Sequence, residues 1–257
     1  MTSYLGVDWA GGCWVVVEAG DEPNVTTEPS IYNVWHEHGK GDDVQSILVD
    51  IPIGLPENDT RDCDTEAKER LGSRSSTVFT IPPRDVVEAD DYETAKENNG
   101  GSLGSQSWWL FPRILEADVF LQENADAREK IYESHPEVCF DDLSDDELSS
   151  KSDGDGVEAR LNVLKQATSG SETLEDLYDE VEDVVEERSE NAEWHHRISK
   201  GRVDDVLDAA VLAVTAAKIG LQDRSDDTDY PTLPDDPTED EELGGIPMEI
   251  VYPGESE

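Results

Sequence analysis

The sequence predicts an α/β domain, and three observations carry that expectation. Short apolar runs at 4–7 and 46–49, and a shorter one within 130–132, each end in one acid: Asp8, Asp50 and Glu133. Runs of this kind suit strands buried inside a sheet. Segments with helical periodicity separate and follow them, and the strongest, 203–218, is almost wholly apolar after Ala209. The chain has 257 residues, 35% of them hydrophobic, enough to bury the core of a single domain over 1–257.

Residues 4–7 make the first strand, and Gly11 and Gly12 let the chain turn tightly after Asp8. A lone carboxylate at the end of a buried strand needs a partner such as a metal ion; the alternative is an aspartate that caps a turn. Residues 13–19, rich in Val and Trp, make a second strand and a hairpin with the first. A polar loop follows. Residues 30–36 then read as a third strand, with His36 and His38 as surface histidines in preference to half a metal site. After the strand 46–50, two prolines and a glycine make 51–56 a rigid exit loop. Acids early, Arg70 late and Gly72 beyond define a helix over 62–71. Ser73-Arg-Ser-Ser-Thr77 then offers hydroxyls and one arginine.

Residues 92–99 read as a short helix. Residues 106–124 read as a longer one that Pro112 kinks or restarts, with Trp109, Ile114, Leu115, Val119 and Leu121 near helical spacing. Its tryptophans are assigned to core packing in preference to base stacking. Residues 130–140 repeat the strand-then-acid theme, and Pro136 ends the pairing. Asp153-Gly-Asp-Gly156 lacks the further ligands and terminal Glu of a calcium loop. Residues 157–168 make a helix, and Leu174, Leu177, Val181, Val184 and Val185 form an apolar stripe on an acidic one. Trp194, His195 and His196 precede a break at Gly201 and read as surface or capping groups. In the helix 203–218, Asp204 and Asp205 suit the N-terminus as caps do, whereas Asp208 lies deeper and shares a face with Asp205. Two acids on one buried face repel unless a cation sits between them. Residues 223–242, rich in Asp, Glu and Pro, read as an acidic mobile loop, and 245–253 as a C-terminal strand or clamp.

The formal net charge is −44, with 63 acidic against 19 basic residues along the whole chain. Such a surface repels itself in dilute buffer and is screened at high ionic strength, as in a halophilic, salt-adapted cytoplasm. Bulk acidity is therefore a poor guide to partners. Cys13, Cys63 and Cys139 lie far apart without a Cys-x-x-Cys, which argues against a disulfide framework or thiolate zinc site and fits a reducing compartment. No secretory signal opens the chain, and no apolar run approaches the ~20 residues that span a bilayer, so a cytoplasmic protein with no membrane partner is expected.

Asp8, Asp50, Glu133, Asp205 and Asp208 share one context: acids at strand ends, faced by a late helix. Carboxylate oxygens of this kind suit Mg²⁺ or Mn²⁺. Two such ions can activate a water and stabilise the leaving oxygen in phosphodiester cleavage. The pattern resembles the RNase H-like superfamily, whose first strand ends in Asp, whose fourth strand carries a second acid and whose late helix carries the last. Asp205-Val-Leu-Asp208-Ala209 resembles the closing helix motif of Holliday-junction resolvases. More narrowly, the chain is similar to domain-of-unknown-function family 429, described as predicted RNase H-like nucleases. The matching residues are Gly6-Val-Asp8, Asp50-Ile-Pro-Ile-Gly-Leu-Pro56, Arg61-Asp-Cys-Asp64, Ser76-Thr-Val-Phe79 with Pro83-Arg84, and the stretch 106–118. Further matches are Glu133-Ser-His-Pro-Glu137, Lys151 with Gly156 and Arg160, and the stretches 204–209 and 245–253. One departure is that the turn after Asp8 lacks the Lys common there in the family.

The resemblance implies an RNase H-like fold: a mixed sheet of about five strands, the first three antiparallel and the others parallel to the first, with helices on both faces. The strands bearing Asp8 and Asp50 are then neighbours. It also implies a metal-dependent nuclease on DNA or RNA, with Asp8, Asp50, Asp205 and Asp208 as metal ligands and Glu133 as a further ligand or water-orienting base. Asp204 and Glu137 are the alternative ligands. Arg61, Arg84, Lys151 and Arg160 are scarce cations that either steady a phosphate or form surface ion pairs. The absence of a basic stripe argues against tight nonspecific nucleic-acid binding. Two other readings remain open. Gly6-Val-Asp8 with Gly11-Gly12 also resembles the first phosphate loop of actin-like and sugar-kinase-like ATP-binding phosphotransferases, though no second such loop is evident; the other reading is a non-catalytic binding protein on the RNase H-like fold.

Overall fold

The structure, a computed structural model, describes residues 2–146, 148, 149, 151, 155–190, 203–221, 224 and 229–254. Trp194, His195 and His196 lie outside the described residues. The chain begins with β1 (Ser3–Trp9) and β2 (Trp14–Ala19), an antiparallel hairpin in which Asp8 lies opposite Val15. β3 (Asn24–Glu28) pairs antiparallel with β2, within the stretch expected to be a loop. Val25, Thr26 and Thr27 have the β-branched side chains of a strand, but an edge strand half open to solvent carries no apolar run to reveal it.

Residues 30–36, expected as the third strand, instead form α1 (Ile31–Val34) and the start of a π-helical stretch (Trp35–Gly39). The Ser30 hydroxyl accepts from the Asn33 N–H and caps the turn. Ile31, Val34 and Trp35 are buried at i, i+3 and i+4, a helical spacing hidden beneath strand-like composition. His38 pairs with Glu28 at 2.9 Å.

β4 (Val44–Asp50) runs parallel to β1, and β5 (Ile131–Glu133) runs parallel to β4. The sheet order is β3-β2-β1-β4-β5. This is a mixed five-stranded sheet with helices around it, an α/β architecture consistent with an RNase H-like fold. Between β4 and β5 lie α2 (Asp62–Leu71), α3 (Arg84–Val87), α4 (Tyr92–Asn98), α5 (Ser105–Glu123) and α6 (Ala125–Lys130). α7 (Pro136–Leu143), α8 (Gly156–Thr168), α9 (Glu172–Glu190) and α10 (Val203–Ile219) follow β5.

α5 runs unbroken through Pro112. Its buried stripe includes Phe111, Ile114, Ala117 and Leu121, which leaves Trp109 77% and Val119 51% exposed, against the core positions expected for them. Trp108 packs instead, edge-on to Phe111 at 5.8 Å. Pro136 ends β5 and also opens α7, where its missing N–H costs no helical bond.

The sheet has two apolar faces. Val15, Val17, Leu48 and Tyr132 pack beneath α8, α9 and α10, while Val7, Val16, Ile47 and Val49 pack against α1 and α5. α10 is buried at every position from Val206 to Ala216, as a helix apolar all round must be. Beyond it, β6 (Thr232–Leu233) pairs with β9 (Ile250–Val251) and β7 (Glu239–Asp240) with β8 (Ile246–Pro247). Val251 also bridges Ser134 beside β5. Within the acidic stretch 223–242, Asp240 is buried and reaches Arg84. Among the described residues no helix is long and apolar enough to cross a membrane.

Candidate functional site

The site starts from register. Asp8 and Asp50 face each other across parallel β1 and β4, each at the carboxyl end of its strand. Side chains two apart share a face, so Asp8 projects on the same side as Gly6 and Asp50 on the same side as Leu48. That side is covered by α10. A Cβ on Gly6 would lie 1.9 Å from the Ala209 carbonyl oxygen and 2.4 Å from the Ala213 nitrogen, so only glycine lets the helix rest on the strand backbone. Asp208, the neighbour of Ala209, is thereby carried to the strand ends.

The three carboxyls sense one another. Burial pushes Asp8 well above the usual carboxylate range, and the charges of Asp50, Asp208 and Asp205 add to it against Lys151. Burial likewise pushes Asp50 up to about 7, with Asp208 and Glu133 adding, and Lys151 and a hydrogen bond with Asp8 opposing. Burial and the charges of neighbouring carboxylates thus push both Asp8 and Asp50 toward holding a proton. Burial raises Asp208 as well, opposed by Lys151. Asp205 adds its charge to Asp8 from one turn earlier on α10, and Asp204 is exposed at the rim.

Lys151 is the cation of this cluster. Its Nζ lies 2.6 and 2.5 Å from the two Asp208 oxygens and 3.3 Å from Glu137 Oε1. Burial disfavours its charge, but Asp208 and Glu137 hold it above the ordinary lysine value. Among the described residues, no group of three or more His, Cys, Asp or Glu side chains is arranged to hold a metal ion. The donor set nonetheless fits a hard cation. Asp8 and Asp50 are oxygen donors facing each other at neighbouring strand ends, each disfavoured as a bare carboxylate by burial, and an ammonium already stands against Asp208.

Glu133, expected as a ligand or base, is placed differently. It lies opposite Val49, so it leaves the sheet on the other face from Asp50. Its Oε1 accepts from Arg61 Nη2 at 2.7 Å, and its Oε2 from Arg61 Nη1 at 2.6 Å and the Ile53 N–H at 2.7 Å. Arg61 is 1% exposed and also donates to Asp64 at 2.5 and 3.2 Å and to the Ile53 carbonyl at 3.2 Å. Arg61 thus faces carboxylates rather than a phosphate. Together these groups pin the loop that leaves Asp50.

The other expected phosphate contacts are also engaged, in buried ion pairs rather than the surface pairs considered as their alternative. Arg84 binds Asp118 at 2.9 and 3.2 Å and Asp240 at 2.6 Å, and Asp240 accepts the Leu55 N–H at 2.8 Å. Arg160 binds Glu137 at 2.7 Å and the carbonyls of Ser149 and Gly156. Sequence reasoning assigned no role to Asp64, Asp118, Asp240 or Arg74. Arg74 binds Glu137 at 2.8 Å and also Asp141. The Arg61-x-x-Asp64 spacing at a helix start was a usable signal for one of these pairs; the others join segments far apart in sequence.

Asp8, Asp50 and Glu133 line a cleft of ≈ 160 Å³ with an apolar wall that includes Trp9, Phe79 and Leu110. A second cleft of ≈ 480 Å³ adjoins it through Asp50, Thr77 and His135 and holds Arg74, Lys151, Arg160, Ser73 and Ser76. Burial lowers His135 to about 4, so it is neutral at pH 7. One depression therefore joins a carboxyl pair, which can hold a cation or accept a proton, to a cationic, hydroxyl-bearing side suited to an anion.

A sequence model of the family described as "Protein of unknown function (DUF429)" matches residues 6–239. No curated protein and no solved structure is significantly similar to the chain.

Proposed function

The chain belongs to the DUF429 family, and from that premise we propose that it is a divalent-metal-dependent nuclease that hydrolyses phosphodiester bonds of DNA or RNA. The observation that carries this reading is the meeting of Asp8, Asp50 and Asp208 from two parallel strand ends and one helix. Asp8 and Asp50 would hold the ion, with Asp205 and Asp208 adding negative charge around it. A bound Mg²⁺ or Mn²⁺ would supply Lewis acidity toward a phosphoryl oxygen and a more acidic water.

The chain's own groups supply the rest. Asp50, raised to about 7 by burial in the metal-free chain, would give up its proton when the ion binds. Lys151 and Arg74 bring positive charge to the adjoining cleft, where a phosphate next to the scissile one can lie. Glu133 and Asp240 fix the loop after Asp50 through the Ile53 and Leu55 amides, which keeps the carboxyl pair in register. The acid coat suits a salt-rich cytoplasm and limits nonspecific grip on nucleic acid, so recognition falls to the cleft.

A cleavage screen in molar KCl tests this reading, with Mn²⁺ or Mg²⁺ over single-stranded, duplex, hybrid and branched substrates. We expect metal-dependent cleavage of at least one class, abolished by EDTA and by Asp8→Asn or Asp50→Asn. Binding without cleavage under either metal would overturn it in favour of a non-catalytic nucleic-acid-binding protein.

A further inference from the structure

Both oxygens of Asp208 face one ammonium, that of Lys151, at 2.6 and 2.5 Å. Asp208 is buried, and the Lys151 side chain is only 26% exposed, so this is no solvent-facing pair. Glu137 Oε1, 3.3 Å from the same Nζ, fixes the lysine from its other side, and Glu137 is itself held by Arg160 and Arg74. Asp208 thus already has a cation against both of its oxygens, and a metal ion set there would have to stand beside the Lys151 ammonium. Charge leads to the same place. Once ionised, Asp8 and Asp50 carry two negative charges while the ammonium is set against Asp208, and one divalent ion neutralises those two.

Resting on the reading of the site as a metal-dependent nuclease, we propose that Lys151 fills the second cation position. The chain then takes one divalent ion, on Asp8 and Asp50, and the Lys151–Asp208 pair serves as a fixed internal cation facing the second cleft.

Calorimetric titration of Mn²⁺ into the full chain, in molar KCl at pH 8, tests this, with electron paramagnetic resonance counting bound against free ion. The parent should bind one ion. Asp8→Asn should weaken binding at least tenfold, whereas Asp208→Asn should change it only a few-fold. Lys151→Met frees Asp208 and should bind two ions; Lys151→Arg keeps the cation and should bind one. Circular dichroism in the same buffer selects variants that remain folded, and Lys151→Arg with Asp208→Asn carries the test if Lys151→Met does not fold. Two ions in the parent, or one ion in folded Lys151→Met, would overturn the lysine's role and leave the nuclease reading standing. No Mn²⁺ bound by either protein would overturn both.

Discussion

Arg61 offers the sharpest test of how the site is held. It is buried and donates to Glu133, Asp64 and the Ile53 carbonyl through all three of its nitrogens. Arg61→Met keeps the bulk of the chain and removes every one of these donors. Glu133 and Asp64 would then be two buried carboxylates left with the Ile53 and Ile81 amides and a weak donor, the Cys63 thiol at 3.8 Å from Asp64. Breaking one buried pair by removing one partner costs about 3–5 kcal/mol. Two acceptors lose their cation here, so the loss should reach the upper part of that range. Urea unfolding at fixed molar KCl measures it, since salt screens buried pairs little. Adding Glu133→Gln and Asp64→Asn removes the stranded charges and should restore about half of the loss. The single variant should also regain stability as the pH falls, because its uncompensated carboxyls bind protons in the folded state. A loss below about 1 kcal/mol, or normal stability with weakened nucleic-acid binding, would return Arg61 to the role of a phosphate contact.

Three further outcomes are expected. Folded Asp50, raised to about 7 by burial, binds more protons than the unfolded chain, so its share of metal-free stability is lost as the pH rises through about 7. His135, lowered to about 4, acts in the opposite sense below about 6.5. The carboxyl effect should therefore be read between about pH 6.5 and 8, where melting temperature should fall in the parent and fall less steeply in Asp50→Asn, in which Glu133, also raised to about 7 by burial, still titrates; equal slopes would exclude Asp50 as a source. Gly6→Ala brings a methyl to 1.9 Å from a helix backbone oxygen and should cost about 3 kcal/mol or more, and a variant as stable as the parent would mean that α10 does not rest on β1. Circular dichroism should report cooperative structure in molar KCl and its loss near ~0.1 M salt, whereas equal stability at both would defeat the salt-adaptation reading.

The parts of the fold that announced themselves were those whose burial wrote a pattern. β1 and β4 are buried on both faces and read as apolar runs, and α10 is apolar almost all round. β3 did not announce itself, because an edge strand half in water has no such run. Residues 31–35 misled because Ile, Val and Trp serve strands and helices alike, and the helical spacing was three residues long. At the site, Asp8, Asp50 and Asp208 were legible because each breaks an apolar run, which is costly unless something is gained. The partners of the arginines were not legible. Arg84 with Asp240 and Arg160 with Glu137 join distant segments, and nothing local distinguishes a buried acid from the many on the surface. In an acid-rich chain a scarce arginine looks free for a phosphate, although burial makes it the natural partner of the acids around it.

The central claim is that Asp8 and Asp50 hydrolyse a phosphodiester with the help of a divalent ion, and it can be measured before any natural substrate is known. Bis(4-nitrophenyl) phosphate carries the same bond without base, sugar or sequence. Its hydrolysis should be followed at pH 8 in molar KCl, with Mn²⁺ and with EDTA, for the parent, Asp50→Asn and Lys151→Arg. The parent should release nitrophenolate only with Mn²⁺. Asp50→Asn should fall by about 10²-fold or more, and Lys151→Arg should retain the larger part of the rate. A rate that is the same in EDTA, or untouched by Asp50→Asn, would contradict the account.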